Sequence, residues 1–116
     1  MRRFGQMIKI EPENLQAYKD YHANPLPGVN EMIKECNLQN YSIFIHDDLV
    51  FAYFEYTGED YEKDMEKMAQ DPVTQDWWTH TKPCFVKFSM GQDSEFYRDM
   101  EQIFYLEGNL ECKGGE

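Results

Sequence analysis

The sequence predicts an α+β domain in which helices cover one face of a four-stranded antiparallel sheet. Three features support this prediction: a strand-like start, a central hairpin signal, and helices that open at proline and acidic residues. Their order is β-α-β-β-α-β, which is the order of the ferredoxin-like arrangement. No repeat or linker divides the chain, so we expect one domain over residues 1–106 and a mobile C-terminal tail over 107–116.

The first half of the chain contains a strand and two helical segments. Residues 3–10 have strand character, and residues 11–14 begin a helix, because proline is tolerated in a first turn and acidic side chains suit the positive end of the helix dipole. Pro25 and Pro27 end or redirect this helix. Apolar residues at helical spacing predict that residues 28–36 form the next helical segment.

A β-hairpin is predicted from residues 41–45 and 49–56, joined by a tight turn at Asp47 and Asp48. The second strand, LVFAYFEY, is apolar on both faces, so both faces need cover. This chain's helices can cover one face. We expect a second copy of the sheet to cover the other, which predicts a homodimer.

Two further helices and a last strand are predicted in the second half. Residues 57–60 resemble a capping box that opens one helix, and Asp71 followed by Pro72 opens another. Residues 83–98 have no periodicity and are expected to form a long loop. The segment EQIFYL at 101–106 is expected to be the final strand.

Charge and cysteine content limit the class of partner. The chain has 11 Lys and Arg against 22 Asp and Glu, a net charge of −11, which disfavours nucleic acid and anionic lipid. No apolar run approaches membrane-spanning length, and the start lacks a signal-peptide core. Cys36, Cys84 and Cys112 are odd in number and lack CxxC spacing, which indicates reduced thiols. We expect a cytoplasmic protein with a small neutral ligand and no membrane or nucleic-acid partner.

Five side chains form the candidate site. Tyr18 and His22 are four residues apart, so a helix places them on one face. Tyr41 begins the hairpin, and Trp77 with Trp78 supplies flat apolar surface. An imidazole titrates near neutrality, phenols donate hydrogen bonds, and aromatic faces stack on sugar rings, so this set predicts a site for a small neutral polyol.

Each of these residues also has a structural interpretation. His22 could be a half-buried histidine hydrogen-bonded to a carbonyl, and Tyr41 could fill the core. Trp77 and Trp78 diverge by about 100° on a helix, so one is expected in the core and the other at a cavity.

The remaining histidines do not predict a metal or cofactor site. His46, Asp47 and Asp48 are consecutive and point in different directions, unlike a metal-ligand set. His80 is one turn from Asp76, and a surface pair is expected there. The sequence has no GxGxxG, P-loop, HExxH or GxSxG motif, and we expect neither metal nor cofactor.

Five segments together resemble the L-rhamnose mutarotase family, over residues 3–106. They are Tyr18-x-x-x-His22, Asn40-Tyr41-Ser42-Ile43-Phe44, LVFAYFEY, DPVTQDWW at 71–78 and MEQIFYL at 100–106.

The resemblance implies a ferredoxin-like α+β barrel that dimerises sheet to sheet. It also implies that His22 is the proton donor and that Tyr18, Tyr41, Trp77 and Trp78 bind the sugar. One departure follows the histidine: family members commonly have Trp-Pro-Glu where this chain has Leu26-Pro27-Gly28.

The predicted function is therefore that of an aldose 1-epimerase, or mutarotase, which interconverts the anomers of a 6-deoxy sugar, foremost L-rhamnose, by acid–base ring opening. A non-catalytic sugar-binding or regulatory dimer is the first alternative, motivated by the missing Trp-Pro-Glu. A cofactor-free monooxygenase or haem-handling protein is the second, argued from fold analogy alone.

Overall fold

The helices lie on one face of an antiparallel sheet whose strand order is β2-β3-β1-β4, with a fifth strand also paired to β1. The computed structural model describes residues 1–86 and 97–108. The strands are β1 (Arg2–Ile10), β2 (Leu38–His46), β3 (Leu49–Tyr56), β4 (Phe85–Val86) and β5 (Tyr97–Met100). The α-helices are α1 (Leu15–Ala23), α2 (Val29–Glu35), α3 (Tyr61–Ala69) and α4 (Pro72–Thr81), with 3-10 turns at Pro12–Asn14 and Lys82–Cys84. This is the predicted ferredoxin-like order.

The fourth strand position is shared by two short strands, which corrects the prediction. β4 pairs with Lys9 and Ile10 of β1, and β5 pairs with the four preceding β1 residues along the same edge. The predicted loop over 83–98 therefore contains β4 and the start of β5, and residues 87–96 lie outside the described residues. The sequence of β5, YRDM, is too polar to show an apolar strand pattern. Pairing to the free edge of β1 makes it a strand.

The predicted last strand at 101–106 is wrong: residues 101–108 have no regular secondary structure. Most of the predicted tail, residues 109–116, lies outside the described residues. The apolar side chains that suggested a strand are instead exposed, with Ile103 at 88%, Phe104 at 77% and Leu106 at 78%.

The predicted start of α4 is confirmed, and that of α3 is shifted along the chain. Asp71 caps α4, because its Oδ2 accepts a hydrogen bond from the Thr74 backbone N–H at 2.8 Å and Pro72 follows in the first turn. α3 begins at Tyr61, later than a capping box at 57–60 implies, because its cap is Asp60, whose Oδ1 accepts from the Lys63 N–H at 3.2 Å.

Buried and half-buried residues alternate along strand β3, as expected for a strand with one face against the helices. Val50, Ala52, Phe54 and Tyr56 are buried against the helices, and the residues between them are half-buried on the outer face. The helix-facing residues belong to two core clusters at opposite ends of the sheet. One contains Ile10, Tyr18, Val50 and Cys84, and the other contains Leu38, Phe54 and Tyr56.

Within the described part of the chain, no helix combines the length and apolarity needed to cross a membrane. Cys36 and Cys84 are free and buried, as the reduced-thiol prediction expects for them. Cys112 lies outside the described residues.

Candidate active site

A cavity of about 370 Å³ lies between the sheet and the helices. On its floor, Gln6 of β1, Ala52 of β3 and Ile43 of β2 are cross-strand neighbours. The small side chain of Ala52 leaves space where larger residues would fill the layer. The cavity is lined by all five predicted site residues, Tyr18, His22, Tyr41, Trp77 and Trp78.

His22 has a fixed ring orientation on α1. Its Nδ1 lies 2.9 Å from the backbone carbonyl oxygen of Tyr18, and its ring makes an edge contact with Trp77 at a centroid distance of 5.4 Å. A carbonyl oxygen can only accept, so Nδ1–H is the donor and Nε2 is the nitrogen that exchanges a proton. The sequence allowed a structural role in which His22 bonds to a backbone carbonyl, and that bond is present. The same bond orients a ring that also lines the cavity.

Tyr18 and Tyr41 supply two phenols to the same space. Tyr18 is only 5% exposed, its ring centroid lies 4.4 Å from that of His22, and burial, with smaller effects of Tyr41 and Cys84, raises the pKa of its hydroxyl. Burial, with a smaller effect of Tyr61, raises the pKa of Tyr41 to about 12. Tyr41 as a whole residue is 42% exposed, so the burial that raises this pKa is that of its hydroxyl end. Both phenols therefore remain protonated donors at neutral pH.

A β-bulge directs Tyr41 toward the cavity. Gln39 pairs with Glu55 and Ser42 with Tyr53, so two residues of β2, Asn40 and Tyr41, stand opposite one residue of β3. That residue is Phe54, and the ring of Tyr41 stacks on it at a centroid distance of 4.9 Å. Asn40 has a positive φ of 51°, a backbone conformation that asparagine tolerates well.

The two tryptophans correct the expectation that one would be in the core. Both are half-buried and both line the cavity. Trp77 packs edge-on against Tyr21 and His22, while the Nζ of Lys82 lies 4.3 Å from the ring centroid of Trp78. Helix α4 lies along the cavity wall, so two adjacent side chains can both reach it.

Sequence reasoning missed several polar cavity residues. Gln6 had a readable signal, because it interrupts the apolar series Phe4, Ile8 and Ile10 on one face of β1. Its partner Asp99, which contacts Gln6 but is not part of the cavity lining, had none, because only strand pairing brings it beside Gln6. The other lining residues not singled out from sequence include Tyr61, Thr74, Thr81, Lys82 and Tyr97.

The other histidines lie outside this cavity's lining. His46 Nε2 is 3.4 Å from Asp47 Oδ2 in an exposed turn, and His80 Nε2 is 3.7 Å from Asp76 Oδ1, which confirms the predicted surface pair. Across residues 1–86 and 97–108, no group of three or more His, Cys, Asp or Glu side chains is arranged to hold a metal ion.

The fold and the site define a class of protein: a ferredoxin-like domain whose cavity joins one imidazole to neutral phenol donors and aromatic surface. The chain belongs to the L-rhamnose mutarotase family, whose sequence model matches residues 3–106. This membership makes it an isomerase, an epimerase acting on carbohydrate.

Two further similarities agree with the family assignment. An L-rhamnose mutarotase from Listeria monocytogenes is 32% identical over 108 residues, which cover 91% of this chain and 99% of that protein. The crystal structure of an L-rhamnose mutarotase from Formosa agariphila has a TM-score of 0.71 at 22% identity and covers 92% of this chain and 100% of that one.

A putative antibiotic biosynthesis monooxygenase from Nitrosomonas europaea shares the fold at lower similarity. Its TM-score is 0.57 at 10% identity, covering 90% of this chain and 100% of that one. At such identities, the two structural likenesses show the fold alone.

Proposed function

We propose that this protein interconverts the α and β anomers of a 6-deoxy aldose, foremost L-rhamnose, by acid–base ring opening. The observation that carries the proposal is that His22, Tyr18, Tyr41 and the two tryptophans all line one cavity. Family membership supports the sugar, and the geometry of His22 supports the chemistry.

Anomer exchange needs two proton transfers and no net oxidation. One proton goes to the ring oxygen while another leaves the anomeric hydroxyl, the C1–O5 bond breaks, and the open aldehyde rotates and closes on its other face. His22 gives the first proton from Nε2 while Nδ1–H stays on the Tyr18 carbonyl. A phenol oxygen of Tyr18 or Tyr41 accepts the second proton while its own O–H proton passes to Nε2 of His22, which the first transfer left without one, because the raised pKa of each phenol disfavours a lasting tyrosinate.

The cavity lining suits a neutral deoxy sugar. Most of its surface is aromatic or aliphatic, and Lys82, the one Lys, Arg, Asp or Glu among the described lining residues, lies over the Trp78 ring. Met65 and Met68 add apolar surface on which a 6-methyl group can pack.

The test is magnetisation-transfer NMR on the purified protein with a panel of sugars that includes L-rhamnose, L-fucose and unmodified aldoses. We expect faster exchange between the anomeric proton signals of L-rhamnose than in buffer alone. Saturable binding of L-rhamnose without faster exchange would instead support a non-catalytic sugar-binding dimer. Absorbance bands of haem or flavin in the protein as purified would support the monooxygenase or haem-handling alternative.

We also propose that the protein is a homodimer whose two sheets meet through their outer faces. Phe44, Phe51 and Met7 are cross-strand neighbours on that face, and Phe44 is 67% exposed in the single chain. The exposed apolar residues of the 101–108 segment add to this unpartnered surface. Contiguous apolar surface of this kind is typical of an interface.

A further inference from the structure

Gln6 is a polar residue in a position where the core pattern calls for an apolar one. Its neighbours on the same face of β1, Phe4 and Ile8, pack against opposite core clusters, and Gln6 lies between them on the cavity floor. Next to it on β3 is Ala52, whose small side chain leaves the amide facing open volume. An amide held among apolar side chains costs free energy unless it is hydrogen-bonded, so its placement needs a reason.

Asp99 fixes which way the Gln6 amide points. The two residues are cross-strand partners, so their side chains share a face of the sheet, and Gln6 Nε2 donates to Asp99 Oδ1 at 2.9 Å. A carboxylate only accepts hydrogen bonds, so the amide nitrogen must be on the Asp99 side. The carbonyl oxygen of Gln6 is then on the other side of the amide, and within the described ranges it accepts no hydrogen bond.

A third polar group stands at the same wall. Tyr61 lines the cavity, and burial raises the pKa of its hydroxyl, with smaller contributions from Tyr97 and from the negative charge of Asp99. The Tyr61 ring stacks on Phe4, the residue before Gln6 on the same face of β1, at a centroid distance of 4.8 Å. A protonated phenol therefore stands at this part of the cavity wall. The wall offers both an acceptor and a donor to a ligand hydroxyl.

We propose that Gln6 is a specificity-determining residue whose amide carbonyl accepts a hydrogen bond from a ring hydroxyl of the bound sugar, and that Asp99 is the positioning residue for that amide. The inference rests on the proposed function. The hydroxyl that Gln6 binds is not the anomeric one, because His22 on α1 carries out the chemistry at the anomeric carbon. A bound sugar lacking that hydroxyl leaves the Gln6 carbonyl without a partner in the complex and is selected against.

The test compares the kinetics of anomer exchange for L-rhamnose and its monodeoxy analogues. Gln6→Met keeps the length of the side chain and removes the acceptor. We expect it to raise KM for L-rhamnose by about threefold to tenfold, the usual worth of one neutral hydrogen bond, with kcat within about twofold of wild type. For one monodeoxy analogue, KM should be the same in wild type and variant, and that analogue identifies the hydroxyl.

Two further variants separate positioning from packing. Asp99→Ala should also raise KM without changing kcat. Because Asp99 is exposed, this variant should fold, and it tests the proposal even if Gln6→Met does not fold. Gln16→Met is the matched control, because Gln16 donates to Asp20 at 3.0 Å in an exposed pair outside the cavity lining. It should leave KM unchanged.

The outcomes distinguish this inference from the function on which it rests. If wild-type protein exchanges L-rhamnose anomers but Gln6→Met changes KM for all analogues equally, or for none, the inference is wrong and the proposed function stands. If wild-type protein neither exchanges nor binds any sugar of the panel, both are wrong.

Discussion

The Nδ1 atom of His22 lies 2.9 Å from the backbone carbonyl oxygen of Tyr18, one helical turn earlier. This contact keeps a proton on Nδ1 whether the ring is neutral or charged, so Nε2 is the atom that can gain or lose a proton. The same turn of α1 places the Tyr18 ring against the imidazole. Four residues of sequence therefore supply the acid, its orientation and an adjacent phenol.

His22→Ala should reduce the rate of anomer exchange by about 10² to 10⁴-fold, the usual contribution of one positioned acid–base group. Alanine suits a helix interior, so the thermal melt should change little. The matched control is His80→Ala, which removes an exposed histidine paired with Asp76. Wild-type exchange by His22→Ala in the NMR assay would show that the imidazole has no part in the chemistry.

Trp77→Ala and Trp78→Ala should differ in kinetics more than in stability. Each removes a half-buried aromatic, so each should lower the free energy of unfolding by about 2 kcal/mol, roughly half the cost for a fully buried one. Trp77 contacts His22, so its loss should mainly lower kcat. Trp78 is a wall residue covered by Lys82, so its loss should mainly raise KM. Phenylalanine at either position should restore most of the lost activity, and indistinguishable kinetics for the two alanine variants would contradict the assignment.

Gly28→Ala should destabilise the protein by about 1 to 2 kcal/mol, because Gly28 has a left-handed φ of 98°. An added Cβ would lie 3.4 Å from Cγ1 of Val73, an ordinary van der Waals contact, so the cost comes from backbone strain and not from a clash. Denaturant midpoints of wild type and Gly28→Ala measure this cost. Gly108→Ala, where an added Cβ meets nothing within 4 Å, is the control. The same backbone strain should penalise Gly28→Glu.

Acid should destabilise the protein partly through Glu55. Its carboxylate accepts hydrogen bonds from Tyr53, Gln39 and Asn40, which lower its pKa from 4.5 to about 2. The unfolded chain therefore takes up a proton at higher pH than the native one, so the contribution is present above pH 4.5 and is lost as pH falls toward 2.

Glu55→Gln should therefore lose less stability than wild type between pH 4.5 and 2. Urea midpoints across that range measure the difference, with the exposed Glu13→Gln as control. Parallel curves for wild type and Glu55→Gln would exclude this carboxylate as a source of acid sensitivity.

Phe44→Lys should convert the proposed dimer to monomers at micromolar concentration, because it places a charge in the exposed apolar row of the outer sheet face. Asn30→Lys adds the same charge at an exposed helical position and should leave the mass unchanged. Light scattering provides the readout. A monodisperse wild-type monomer would argue against any sheet-to-sheet interface.

The sequence alone determined the features that depend on neighbouring residues. Asp71 and Pro72 start α4 through contacts within one turn, the hairpin follows from apolar runs on either side of a tight turn, and Tyr18 with His22 shares a helix face. The helix cap and the shared helix face involve residues four or fewer apart, and the hairpin joins two strands that follow each other in the sequence. Their patterns are therefore visible in the order of the amino acids.

Only the tertiary structure decided which distant residues share the cavity. Gln6 and Asp99 are 93 residues apart and meet because β5 pairs with the free edge of β1. The bulge that turns Tyr41 toward Phe54 and the placement of both tryptophans on one wall likewise depend on register and helix packing. Strand register is set by long-range hydrogen bonds and by burial of one sheet face, and neither leaves a periodic signal in a short polar strand such as YRDM.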